Sequence, residues 1–169
     1  MALPKRKKNR LEGYDYSSCG AYFITVCVAD RNVSLWDAGV ERTDSIRPDG
    51  MPPLSGIGKT VDAEIQKLSR IYETVTVDNY CIMPDHVHLL LSIVPDARAQ
   101  IEGGRTQFAP TASRIIKQFK GSITKQIGLQ IWQKSFYDRI VRNEQAYREA
   151  WQYIDENPLK WKIVKNESY

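Results

Sequence analysis

Hydrophobic and polar positions follow two different periods along the chain, and each change of period marks an element. The stretch "AYFITVCVAD", residues 21–30, is dense in β-branched and aromatic residues and predicts a strand. From about Gly58 to Tyr72 the apolar positions Val61, Ile65, Leu68 and Tyr72 recur at helical spacing and predict a helix. "VTVDNYCIM" and "HVHLLLSIV" predict two more strands, joined by a tight turn at Pro84 and Asp85. In "TASRIIKQFKGSITKQIG", Ile115, Phe119, Ile123 and Ile127 stand at successive four-residue steps, which predicts an amphipathic helix opened by a Thr or Ser cap. "WQKSFYDRIV", residues 132–141, predicts a fourth strand. A last helix is predicted over about residues 144–157, stopped by Pro158. Two segments rich in Gly, Pro and Asp, "DAGVERTDSIRPDGMPPLSG" and "PDARAQIEGGRTQFAP", read as loops.

The resulting order is strand, helix, strand, strand, helix, strand, helix. It predicts an α+β fold, the ferredoxin-like split βαβ arrangement, with an antiparallel sheet, helices on one face and an extra C-terminal helix. Such a fold hosts many functions, so function has to be argued from side chains. Composition narrows the field. A chain of 169 residues, 42% hydrophobic and 26% charged, suits one globular domain over residues 1–169, with a basic tail over about residues 1–12. No apolar run is long enough for a membrane span, and the start lacks the apolar stretch of a secretory signal. Cys19, Cys27 and Cys81 are odd in number and lack metal-type spacing, which fits reduced thiols and a cytoplasmic location.

The net charge of +4 is modest but unevenly spread. Lys5, Arg6, Lys7, Lys8 and Arg10 form a run that reads either as a solvated tail or as a phosphate-contacting arm. Arg114, Lys117, Lys120 and Lys125 fall opposite Ile115, Phe119 and Ile123 and predict a continuous basic stripe on that helix. The stripe is either a solvated face or, with the N-terminal run, a track for a nucleic-acid backbone.

The chain has two histidines, His86 and His88, one residue apart at the start of a predicted strand. Residues two apart on a strand point to one face, so both imidazoles can converge on one divalent ion. An arbitrary His-x-His is more often an ordinary polar pair. Here Leu89, Leu90 and Leu91 mark a strand buried on both faces, where imidazoles need a metal or a hydrogen-bonded network. No third histidine exists, so a further ligand must offer oxygen or sulfur. An oxygen ligand with open positions favours magnesium or manganese over structural zinc.

On the last helix, Tyr147, Ala150, Trp151 and Ile154 share an apolar stripe predicted to pack on the sheet. Tyr153 falls to one side of it, and Asn157 lies one turn further along nearly the same line. Each alone reads as a surface tyrosine and a helix-end amide. Together with the histidines they resemble a known family. "HVH" resembles the His-hydrophobe-His signature of HUH single-strand endonucleases, and "YIDEN" resembles the catalytic helix of single-tyrosine HUH transposases. The branch the chain is most similar to is the REP-associated tyrosine transposases, through "YDYSSCGAYFITVCVADR", "YCIMPDHVHLLL", "WQKSFYDRIVRN" and "YIDENPLKW", which together span most of residues 14–161. The loop over residues 37–55 has no counterpart motif.

The resemblance implies that His86, His88 and Asn157 are metal ligands for Mg²⁺ or Mn²⁺, and that Tyr153 is the nucleophile. It implies cleavage of single-stranded or hairpin DNA through a 5′-phosphotyrosine intermediate with a free 3′-OH, and rejoining without ATP. Asp85 and Glu149 are candidate helpers for proton transfer, while Tyr137 and Tyr147 are set aside as strand and stripe residues. Three rival readings stand beside this one. The first is a non-catalytic single-strand nucleic-acid module stacking bases on residues such as Tyr22 and Phe23, which leaves the histidine pair unexplained. The second is a histidine phosphoesterase, which needs a second histidine motif. The third is a structural protein with an incidental metal.

Overall fold

The computed structural model describes residues 19–38, 53–95 and 110–166. Lys5, Arg6, Lys7 and Lys8, and most of both predicted long loops, lie outside the described residues. The elements come in the predicted order: β1 (Gly20–Cys27), α1 (Gly56–Ile71), β2 (Val75–Ile82), β3 (His86–Ile93), α2 (Ala112–Ile127), β4 (Tyr137–Val141) and α3 (Glu144–Asn166). The sheet order is β2-β3-β1-β4 and every pairing is antiparallel, which is the ferredoxin-like topology. None of the described helices is long and apolar enough to cross a membrane.

Alternation along β1 and β3 divides the sheet into two faces. Tyr22, Ile24 and Val26 of β1, with Val87, Leu89 and Leu91 of β3, are fully buried on one of them. α1 contributes Val61, Ile65 and Leu68 to the same core, and α2 contributes Ile115, Ile116, Phe119 and Ile123. Buried Glu64 joins the two helices. Burial raises its carboxyl, but bonds from Lys67, Ser122 and Gln126 outweigh that and hold it below its ordinary range. The opposite face carries His86, His88 and Phe23, and α3 lies across it.

Local chemistry explains most boundaries. The Ser55 hydroxyl accepts from the Gly58 N–H at 3.0 Å, so α1 begins at Gly56 rather than at Gly58. Thr111 caps α2 in the same way, and Gly128 closes it in the left-handed conformation. Pro84 and Asp85 turn β2 into β3, with the Met83 N–H donating to the His86 carbonyl at 2.8 Å.

Three expectations are corrected. The first strand ends at Cys27, because Val28 leaves it for an isolated bridge to Trp132. The fourth strand starts at Tyr137, since Trp132 is spent in that bridge and lies in the core. The last helix runs through Pro158 to Asn166. A proline inside a helix costs about 3 kcal/mol, but Trp161, one turn beyond it, packs its ring 6.5 Å from that of Trp36. Tertiary packing past the break therefore sustains the helix.

Candidate active site

His86 and His88 alternate along β3 onto the face beneath α3, and the geometry brings their rings together. The two Nε2 atoms are 3.0 Å apart. Each Nδ1 is already engaged: that of His86 with an Asp85 carboxylate oxygen at 2.7 Å, that of His88 with the Thr25 hydroxyl at 2.8 Å. Thr25 reaches His88 because the β1–β3 register sets the two opposite each other. Such bonds fix ring orientation and leave both Nε2 atoms facing one point. Burial, then the neighbouring His86, push the His88 imidazole down to about 3, against the opposing pull of Asp85. His88 is therefore neutral at pH 7, the form that offers a lone pair.

Two Nε2 atoms at this distance either share one proton or direct both lone pairs at one cation. Two cis ligands of an octahedral ion with bonds of about 2.1 Å are also about 3.0 Å apart, so the pair fits a divalent ion. Asn157 is half-buried, and its carboxamide nitrogen is buried without a hydrogen-bond partner among the described residues. Rotating that amide by half a turn would put its oxygen, a hard-metal ligand, in the same place. Two imidazole nitrogens and an amide oxygen would give a mixed nitrogen–oxygen donor set for a divalent ion.

Tyr153 comes from α3. At about 100° per residue, Tyr147, Ala150, Ile154 and Trp161 form the inward stripe, and Tyr153 and Trp151 flank it on opposite sides. Ala150 and Ile154 are buried, while Trp151 is 39% exposed rather than packed on the sheet as expected. Tyr153 is 47% exposed, and its ring stands edge-on to His88 with centroids 5.2 Å apart. The Asn79 amide secures the helix, donating to an Asp155 carboxylate oxygen at 2.9 Å and to the Trp151 carbonyl at 3.5 Å. A register irregularity in β2 between Val77 and Asn79 adjoins this contact.

A cavity of about 380 Å³ opens beside Tyr153, lined by Phe23, Thr25, His88, Tyr137, Asp138, Arg139 and Tyr153. The sequence reading missed Thr25, Asp138 and Arg139, and named Phe23 only as a possible base-stacking residue. Tyr137, set aside there, lines the same cavity as Tyr153. Asp85 is engaged with His86, and Glu149 accepts a bond from Gln145 at 3.1 Å within α3. The predicted basic stripe is divided. Lys117, Lys120 and Lys125 line a separate groove of about 660 Å³ with Lys134 and Phe136, whereas Arg114 acts electrostatically on Tyr72 of the first turn after α1. Lys120 is partly spent, donating to the carbonyls of Gln133 and Lys134 at 2.6 and 3.3 Å.

A ferredoxin-like α+β sheet with a histidine pair on an inner strand and a tyrosine-bearing helix across it defines the class of this protein. Residues 55–157 match the family described as Transposase IS200 like, and the chain belongs to that family. A Haemophilus influenzae protein of uncharacterized role is 25% identical over 170 residues, covering 92% of this chain and 89% of its own. A second protein from that organism, named provisionally as a REP-associated tyrosine transposase, is 26% identical over 161 residues, covering 92% and 81%. The REP-associated tyrosine transposase of Escherichia coli K12 is 31% identical over 93 residues, 54% of this chain and 49% of its own. A solved structure of a REP-associated tyrosine transposase bound to a REP hairpin shares the fold, with TM-score 0.61 and 24% identity over 89% of this chain and 74% of that one. The family carries a transposase role and, with it, enzymatic processing of DNA.

Proposed function

We propose that the protein nicks and rejoins single-stranded or hairpin DNA, with Tyr153 as the nucleophile and a 5′-phosphotyrosine as the intermediate. The observation that carries this reading is the Tyr153 ring standing 5.2 Å from His88, whose Nε2 meets that of His86 at 3.0 Å. A phenol and a preorganised pair of nitrogen donors on the same face are what in-line attack on a phosphodiester needs. His86, His88 and Asn157 would hold Mg²⁺ or Mn²⁺, which when bound supplies positive charge for a non-bridging phosphate oxygen.

The chain's own residues do the rest. The exposed Tyr153 phenol gives up its proton to solvent, and its oxygen bonds to phosphorus as the bond to the 3′ oxygen breaks. The departing 3′ oxygen takes a proton. Reversal by a 3′-OH re-forms the phosphodiester without ATP, because the phosphotyrosine keeps the bond energy. Asp85 and Thr25 orient the two imidazoles from their Nδ1 sides. Lys117, Lys125 and Lys134 give a groove suited to a DNA backbone, and the hairpin bound by the structural relative supports a hairpin as the partner. The base-stacking module reading is disfavoured, because Tyr22 is fully buried and the part-buried Phe23 ring is flanked by His88 and Tyr153.

The test is a denaturing gel of labelled hairpin DNA incubated with Mg²⁺, followed by peptide mapping of any covalent adduct. The adduct should map to Tyr153, disappear on chelation, and be absent in a folded Tyr153→Phe protein that still binds the hairpin. An adduct on Tyr137 or Tyr147, or one that persists in Tyr153→Phe, overturns the assignment.

A further inference from the structure

The cavity beside Tyr153 has a feature that the reading above does not use. Arg139 of β4 lies opposite Phe23 in the β1–β4 register, with its guanidinium carbon 5.6 Å from the centre of the Phe23 ring. The same ring lies 5.1 Å from His88 and stands edge-on to Tyr153 at 5.8 Å. One aromatic ring therefore adjoins the nucleophile, a histidine of the pair and a permanent cation. Arg139 is the only Lys or Arg among the residues lining the cavity. Among the described residues, no carboxylate is paired with its guanidinium.

We propose that Arg139 is a catalytic residue that binds the scissile phosphate as Tyr153 attacks it. The inference rests on the Tyr153 reading and adds a second source of charge, on β4. As the tyrosine oxygen bonds to phosphorus and the 3′ oxygen leaves, negative charge grows on the non-bridging oxygens. The contact with the Phe23 ring holds the charge by its attraction to an aromatic face and spends no carboxylate on it. The guanidinium is a planar fork of donors matched to two phosphate oxygens, and its charge is permanent. The lysines of the α2 groove do not line this cavity, and Lys120 is held by backbone carbonyls. The β1–β4 register sets the backbone position from which the fork reaches the cavity.

The experiment uses the full chain, labelled hairpin DNA and Mg²⁺, with the cleavage position mapped first on the wild type. Arg139→Gln should lower kcat by about 10²-fold, the scale for removing one preorganised donor. KM should stay within about threefold, and Arg139→Lys should recover part of the rate. A second substrate carries a methylphosphonate at the mapped position, which removes the phosphate charge. On that substrate the gap between wild type and either variant should shrink to about threefold or less. If Arg139→Gln does not fold, Arg139→Lys with both substrates gives the same comparison.

An unchanged kcat would overturn the proposal. So would a change confined to KM, which marks a ground-state strand contact. A gap of equal size on both substrates would also overturn it, because a structural role through Phe23 ignores phosphate charge. Absence of any Tyr153 adduct in the wild type is a separate result, which sinks the nucleophile assignment itself.

Discussion

His88 shows how one position couples stability to chemistry. It is 5% exposed, bonded to Thr25, and its imidazole is pushed down to about 3 from an ordinary 6.5. Between those values the unfolded chain takes up a proton that the folded chain refuses. Stability should therefore fall as pH drops below 6.5, by roughly 2 kcal/mol at pH 5. Urea unfolding at pH 7 and pH 5, with a chelator present, should show this loss in the wild type and a much smaller one in His88→Gln. Equal pH dependence in both proteins would place the acid sensitivity elsewhere. His86, His88 and Tyr153 were legible in the sequence, because strand alternation and a helical stripe are local patterns. Thr25 and Arg139 were not, and Phe23 was read only as a possible base-stacking residue. They reach the site through the β1–β3 and β1–β4 registers, which no short stretch of sequence specifies.

Elements were legible wherever the period was clean; of their starts, the Thr cap of α2 was legible and the Ser55 cap of α1, which lies ahead of its apolar period, was not. Ser55 and Thr111 start α1 and α2 by bonding N–H groups that would otherwise be orphaned. The end of α3 was not legible, because Pro158 is a local stop that a remote contact, Trp161 against Trp36, overrides. Two helical glycines make opposite predictions. A Cβ on Gly58 would stand 2.0 Å from the Leu35 carbonyl oxygen, so this position needs glycine for close approach. Gly58→Ala should destabilise by about 1–3 kcal/mol through overpacking. A Cβ on Gly121 would meet nothing within 4 Å, so Gly121→Ala should stabilise by about 0.5–1 kcal/mol through helix propensity. Urea midpoints moving in opposite directions at unchanged slope would bear this out. A shift of the same sign in both would show that α1 does not press on Leu35 as described.

At the scale of the molecule, the proposed site is assembled from parts anchored to very different degrees. The histidines sit on β3, which has a strand on either side and buried neighbours from Val87 to Leu91. Tyr153 sits on α3, which rests on the sheet mainly through Ala150, Ile154 and the Asn79 bonds. In heavy water these two halves should keep time differently. Backbone amides of β3 should exchange only through global unfolding, whereas those around Tyr153 should exchange through a smaller, local opening. Mass-resolved exchange should find the α3 amides faster by at least about tenfold, a gap of 1.4 kcal/mol in opening free energy. Matched rates would mean that α3 and the sheet open as one unit. With unequal rates, the helix that carries Tyr153 can lift from the sheet many times over the life of one intact histidine pair.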